Sequence, residues 1–213
     1  KYHDVVEKGL TVLENMALRG ADSGDLKTGD GAGILLQIPH EFILLNGIPV
    51  PEKGRYGVGM VFLPKNQKDN ARFTEIITES VEAHGLSIMH SRQVPVNSSI
   101  LGQDALESEP EIRQIFIVGC DDRKTLEDKL YLIRKAIERK VLDSSISDKG
   151  GCYVASLSTR TVVYKGMLST MQLRDYFPDL TNQYFTSAIA LVHSRFSTNT
   201  FPTWSLAQPF RMI

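Results

Sequence analysis

Apolar residues recur along the chain with two different periods. Val6, Leu10, Leu13 and Ala17 fall at helical spacing. Asp4 precedes them with Glu7 three residues on, a capping-box arrangement, so the pattern predicts a helix that ends before Gly20. Residues 68–84 repeat the helical spacing, with Ile76, Ile77 and Val81 inward and Gly85 closing the element. Residues 125–142 form the clearest helix, because Leu126, Leu130, Ile133, Ile137 and Val141 keep one face apolar. Residues 173–177 predict a short one. Between these lie strand-like runs at 34–38, 56–63, 86–94 and 113–120. Residues 152–157 and 161–164 read as a hairpin turning at Ser158-Thr159-Arg160, and residues 187–193 as the last strand. Residues 97–109 are loop or short helix, and the polar, Gly-containing stretch 143–151 is the expected mobile loop. There is no repeat, low-complexity tract or evident linker. Taken alone, the alternation suggests a doubly wound α/β sheet, and the hairpin argues for some antiparallel pairing.

Composition narrows the function classes. A length of 213 residues suits one domain, or one and a half, and 42% hydrophobic residues suffice for a core. A net charge of −1 gives no footprint for nucleic acid or an anionic membrane. No apolar run approaches the roughly 18 residues a membrane helix needs. The two cysteines, Cys120 and Cys152, border apolar runs and form no Cys-x-x-Cys pair, which disfavours zinc or iron–sulfur ligation. They read as buried free thiols in a reducing compartment, so a cytoplasmic location is expected, or a plastid in a photosynthetic eukaryote. The five histidines are scattered and no pair has metal-ligand spacing.

The richest chemistry follows the apolar run 188–192. His193-Ser194-Arg195-Phe196-Ser197-Thr198-Asn199 sets one arginine at a strand mouth, beside hydroxyl and amide groups. The guanidinium fork fits a carboxylate in bidentate geometry, so Arg195 marks a site for a small carboxylate-bearing ligand. A structural ion pair at a strand end is the commoner use of such an arginine, and both readings stand at this point. Gly29-Asp30-Gly31-Ala32-Gly33 tempts a phosphate-loop reading. That reading fails, because a polar loop precedes the glycines, an apolar strand follows them, and Lys27 lies on the wrong side. A tight turn near a site is expected there instead, with Asp30 hydrogen-bonded to backbone.

Arg19-Gly20-Ala21-Asp22, Lys27-Thr28-Gly29-Asp30-Gly31-Ala32-Gly33 and the stretch from His193 to Trp204 together resemble the glutaminase domain of glutamate synthase large subunits. That domain is a class II glutamine amidotransferase of the N-terminal-nucleophile hydrolase kind. Gly57-Val58-Gly59-Met60-Val61-Phe62-Leu63-Pro64, Glu109-Pro110 with Arg113-Gln114, Ser156-Leu157-Ser158-Thr159-Arg160 and Tyr164-Lys165-Gly166 follow in the expected order. The resemblance covers essentially the whole chain. It implies an α+β fold, the four-layer αββα sandwich with mainly antiparallel sheets, in preference to the doubly wound alternative.

The same resemblance implies hydrolysis of L-glutamine to glutamate and ammonia. Arg195 would bind the α-carboxylate of glutamine, and Phe196, Ser197, Thr198 and Asn199 would form the loop folding over it. Asn199 stands where related amidotransferases carry a histidine. Arg19 would pack beside the nucleophile and favour its thiolate. Ordinary loop chemistry for residues 197–199 and a solvated charge for Arg19 are the bland alternatives. Gly29, Asp30 and Gly31 would shape a loop near the site, His193 would be structural, and Trp204 a core or loop anchor.

The family's nucleophile is a cysteine at the mature N-terminus whose α-amino group acts as base. This chain starts at Lys1 and stops at Ile213, so residues 1–213 are expected to be a partial amidotransferase domain. The nucleophile and the oxyanion-hole motif should lie beyond the two ends, and these residues alone should be inactive. In the family, ammonia is channelled to 2-oxoglutarate in other domains of the same polypeptide, where FMN and an iron–sulfur cluster supply electrons. A small reductase subunit or ferredoxin is an implied partner, whereas nucleic acid, membrane and a resident metal are not expected. The rival readings are a catalytically silent amidotransferase-like binding or regulatory domain, and a class II amidotransferase serving another ammonia acceptor.

Overall fold

A computed structural model describes residues 1–17, 28–195 and 200–210. The chain divides into two compact units. One comprises residues 1–42, 94–109 and 163–212, the other residues 43–93 and 110–162, with Ile213.

The first unit is built on β1 (Ala32–Gln37), flanked by β6 (Thr161–Gly166) and β7 (Ala190–Ser194). β1 pairs antiparallel with β7, so that Ala32 faces Ser194, Gly33 faces His193 and Ile34 faces Val192. Helix α1 (His3–Glu14) packs on β7 and β1 through Val6, Gly9, Leu10 and Leu13. The predicted helix is therefore present, but the capping box is not. The N-cap is Tyr2, held extended by mutual backbone bonds with Ser187 of 3.1 and 3.3 Å. That bridge starts the helix two residues early, and Asp4 instead pairs with Lys8 at 2.8 Å. Ala17 lies beyond the helix and is exposed. Short helices α4 (Gln103–Glu107) and α6 (Leu173–Tyr176) complete the unit. Arg174 ties α6 to α1 by donating to Glu14 at 2.8 Å and Glu7 at 2.5 Å. Its aromatic core stacks Tyr164 edge-on against Phe177 and Phe185, at 5.1 and 5.5 Å.

The second unit holds a sheet of order β3-β4-β2-β5: β2 (Gly57–Leu63), β3 (Ser87–Gln93), β4 (Glu111–Val118) and β5 (Tyr153–Ser158), all paired antiparallel. Every residue of β2 is buried, so both faces of this central strand are covered. Helices α3 (Gln67–Glu82) and α5 (Arg123–Asp143) pack on each other and on the sheet. Phe73, Ile76, Leu126, Leu130, Ile133 and Ile137 fill the layer between them and the strands. Asn66 caps α3 and Asp122 caps α5 with side-chain oxygens. The antiparallel sheets with helices packed on them place the chain in the α+β class and overturn the doubly wound alternative.

Three further expectations need correction. The predicted hairpin does not form: β5 joins the second unit's sheet beside β2, and β6 joins the first unit's sheet beside β1. Ser158 and Thr159, read as the turn, instead carry the chain from one sheet to the other. Glu127 fixes them by accepting from the Ser158 hydroxyl at 2.7 Å and the Thr159 N–H at 2.7 Å. The stretch 143–151, expected to be mobile, is anchored. Asp69 of α3 is buried and accepts from the N–H groups of Ser147 and Asp148, each at 3.2 Å, and from the Ser147 hydroxyl. Ile146 is buried beside them in the core. Finally, α2 (His40–Leu45) had no counterpart in the predicted elements.

Candidate functional site

Arg195 follows β7 directly and extends its pairing by one residue. Its N–H donates to the Gly31 carbonyl at 2.8 Å, so its position is set by the β1–β7 ladder as well as by its own loop. Its Nη2 donates to the Thr200 hydroxyl at 2.6 Å. Its Nη1 is buried and has no hydrogen-bond partner among the described residues. A guanidinium with one arm anchored and another buried without an acceptor is costly, about 1–3 kcal/mol for the unmade bond. It is a ready receptor for a carboxylate oxygen.

The glycine loop supports this arginine. Gly31 has φ +138°, a conformation that side chains rarely adopt. A Cβ there would lie 3.0 Å from the Ala207 methyl and 3.5 Å from the Arg195 Cβ. Gly29 runs still closer to its neighbours, since a Cβ would sit 2.1 Å from backbone atoms of Leu168 and Ser169. Asp30, between them, is buried. The loop leads into a strand and not a helix, as the rejection of a phosphate loop requires. Gly31 and Arg195 are thus brought together in the first unit, while Gly29 runs against Leu168 and Ser169. Arg19, Phe196, Ser197, Thr198 and Asn199 lie outside the described residues.

Trp204, expected as an anchor, is buried and donates its indole N–H to the Ala105 carbonyl at 3.2 Å. It also packs 5.6 Å from the Tyr176 ring. Thr200 at one end of the adjoining segment and Trp204 at the other are therefore both fixed.

Two further buried groups lie in the first unit. His193, assigned a structural role, leaves its Nδ1 buried and unpartnered among the described residues. Burial holds its imidazole below the ordinary histidine value, so it is neutral near pH 7. Lys165, quoted only as part of a motif, is fully buried. The signal was visible: a lysine set between Val162-Val163-Tyr164 and Gly166-Met167-Leu168 must bury its charge or break the run. Among the described residues, no three His, Cys, Asp or Glu side chains come together as a metal site, and no helix is long and apolar enough to cross a membrane.

The family model described as "Glutamine amidotransferases class-II" matches residues 1–213. The chain belongs to this family. Among curated relatives, the "Glutamate synthase [NADPH] large chain" of Bacillus subtilis is 43% identical over 99% of this chain and 14% of its own length. The "Glutamate synthase [NADH]" of Saccharomyces cerevisiae is 44% identical over 99% of this chain and 10% of its own length. "Ferredoxin-dependent glutamate synthase 2" of Synechocystis sp. is 39% identical, over 99% and 14%. The amidotransferase chain thus spans only 10–14% of the length of these relatives. Their names carry three different electron donors.

Proposed function

We propose that this amidotransferase domain hydrolyses the side-chain amide of L-glutamine to glutamate and ammonia, within a glutamate synthase. The carrying observation is Arg195. Its buried, unpartnered Nη1 beside an anchored Nη2 suits the α-carboxylate that glutamine and glutamate share. Gly31 holds the arginine's backbone by accepting its N–H. We extend the proposal to Phe196, Ser197, Thr198 and Asn199 as the wall over bound glutamine, and to Arg19 beside the nucleophile.

A thiolate attacks the amide carbon, an oxyanion forms and collapses, ammonia leaves, and water resolves the glutamyl thioester. Neither cysteine of this chain suits that role. Burial, with Asp148 and Asp69 nearby, pushes the Cys152 thiol up to about 12, far from thiolate at neutral pH. Cys120 donates weakly to the Asp122 carbonyl at 3.5 Å and, like Cys152, belongs to the second unit. The family's N-terminal cysteine is the proposed nucleophile. Ammonia would then pass to 2-oxoglutarate in other domains of the polypeptide. FMN and an iron–sulfur cluster would be held there, since two separated cysteines cannot supply a four-thiolate cluster. A reductase subunit or ferredoxin would supply electrons. Two free thiols suit a reducing compartment, cytoplasm or plastid stroma.

The test is an electrophilic glutamine analogue added to the complete polypeptide, followed by peptide mapping. Loss of ammonia release with label on a cysteine other than Cys120 and Cys152 is expected. Label on either of those two, or ammonia release surviving full labelling, overturns the mechanism. No ammonia release from glutamine by the untreated polypeptide would favour the silent binding domain.

A further inference from the structure

We infer that Lys165 is a positioning residue for the glutamine site, a role resting on the glutaminase reading above: its buried ammonium clamps the turn that braces Gly31 and Arg195. Lys165, next to last in β6, has no exposure at all. Its Nζ donates to the Ala207 carbonyl at 2.7 Å and to the Ser205 carbonyl at 3.0 Å. It also lies 5.1 Å from the centre of the Phe210 ring, a cation–π distance. One ammonium therefore gathers three residues of the segment 203–210.

That segment has its own local bonds. Ala207 N–H donates to the Thr203 carbonyl at 3.3 Å, and Leu206 N–H to the Thr203 hydroxyl at 3.3 Å. These shape a turn but do not fix it to the sheet. Trp204 fixes one end, and Lys165 fixes the middle. The held residue, Ala207, is fully buried with its methyl against Gly31. Gly31 in turn accepts the Arg195 N–H at 2.8 Å. The path from Lys165 to Arg195 thus runs through one charged hydrogen bond, one packing contact and one backbone hydrogen bond.

A methionine of similar length would fill this space without burying a charge, and such replacements are often tolerated for stability. What the lysine adds is direction. Carbonyls aimed at an ammonium are held by charge-assisted bonds, stronger and more selective than packing. If the turn drifts, Ala207 leaves Gly31, and the backbone that sets Arg195 loses its brace. The prediction concerns glutamine recognition and leaves chemistry in other domains alone.

The complete polypeptide carrying Lys165→Met is compared with wild type for glutamine-dependent and ammonia-dependent synthesis. KM for glutamine should rise by about tenfold or more, the size of one charged hydrogen bond, while the ammonia-dependent rate stays within about twofold. A folded Lys165→Met protein with unchanged KM for glutamine overturns the proposal. If that variant does not fold, Ala207→Gly decides, because it keeps both carbonyls and removes only the methyl against Gly31. A raised KM supports the brace and an unchanged KM overturns it. Wild-type polypeptide that releases no ammonia from glutamine sinks the glutaminase reading instead. Amide exchange in residues 203–210 then judges the clamp separately: faster in Lys165→Met upholds it, and unchanged refutes it.

Discussion

Arg195 was legible because its surroundings are written locally: an apolar strand, then a charge, then hydroxyls. What the sequence did not convey is that its Nη1 stays buried without an acceptor while its Nη2 is tied to Thr200. Geometry of that kind depends on β1 lying antiparallel to β7, which brings Gly31 from far upstream to the Arg195 N–H. Arg195→Lys should discriminate between the readings. Lysine keeps the charge but loses the planar fork. Losing a charged hydrogen bond of about 1.5–3 kcal/mol lowers glutamine-dependent kcat/KM by roughly ten- to more than a hundredfold. Ammonia-dependent synthesis should persist. An unaltered glutamine-dependent rate in Arg195→Lys would remove the carboxylate assignment.

Helices were read well and strand partners poorly, for a physical reason. The face of α5 is fixed by spacing within one segment, so Leu126, Leu130, Ile133 and Ile137 announced their own burial. The partner of a strand is decided by distant residues. β5 and β6 look like a hairpin in sequence, yet Glu127 on α5 holds Ser158 and Thr159 while β5 pairs with β2. α2 was missed because six residues cannot display a helical period. The stretch 143–151 was misjudged because its anchor, Asp69, lies on another helix. The Asp69 carboxyl is held below its ordinary value, chiefly by the Ser147 hydroxyl and then by the Asp148 N–H. Asp69→Ala removes the acceptor for three donors, so amide exchange in residues 144–148 should accelerate at least about tenfold. Unchanged protection of Ser147 and Asp148 would show that Ile146 packing alone holds the loop.

Among the described residues, the groups whose pKa values are lowered divide by unit, and this gives the two units different responses to acid. In the first unit, burial lowers His193, so the folded form binds fewer protons than the unfolded form. Stability then rises with pH through that window. The His193 contribution is intact above the unfolded value near 6.5 and is lost progressively as pH falls below it. In the second unit, Asp69, Glu79 and Asp122 are lowered by hydrogen bonds, first from Ser147, Lys140 and Thr125 respectively. Their stabilisation is present above the ordinary carboxylate value near 4 and vanishes only as pH falls through their folded values. Between about pH 7.5 and 5.5, therefore, the β1–β7 ladder should soften while β2, β4 and α5 hold. Amide exchange corrected for intrinsic rate reads this strand by strand. His193→Gln, which cannot take up the proton, should flatten the pH response of residues 32–36 and 190–194. An equal response in wild type and His193→Gln would mean that another group governs the acid sensitivity of this sheet, and the half-buried imidazole would then be only a packing element of β7.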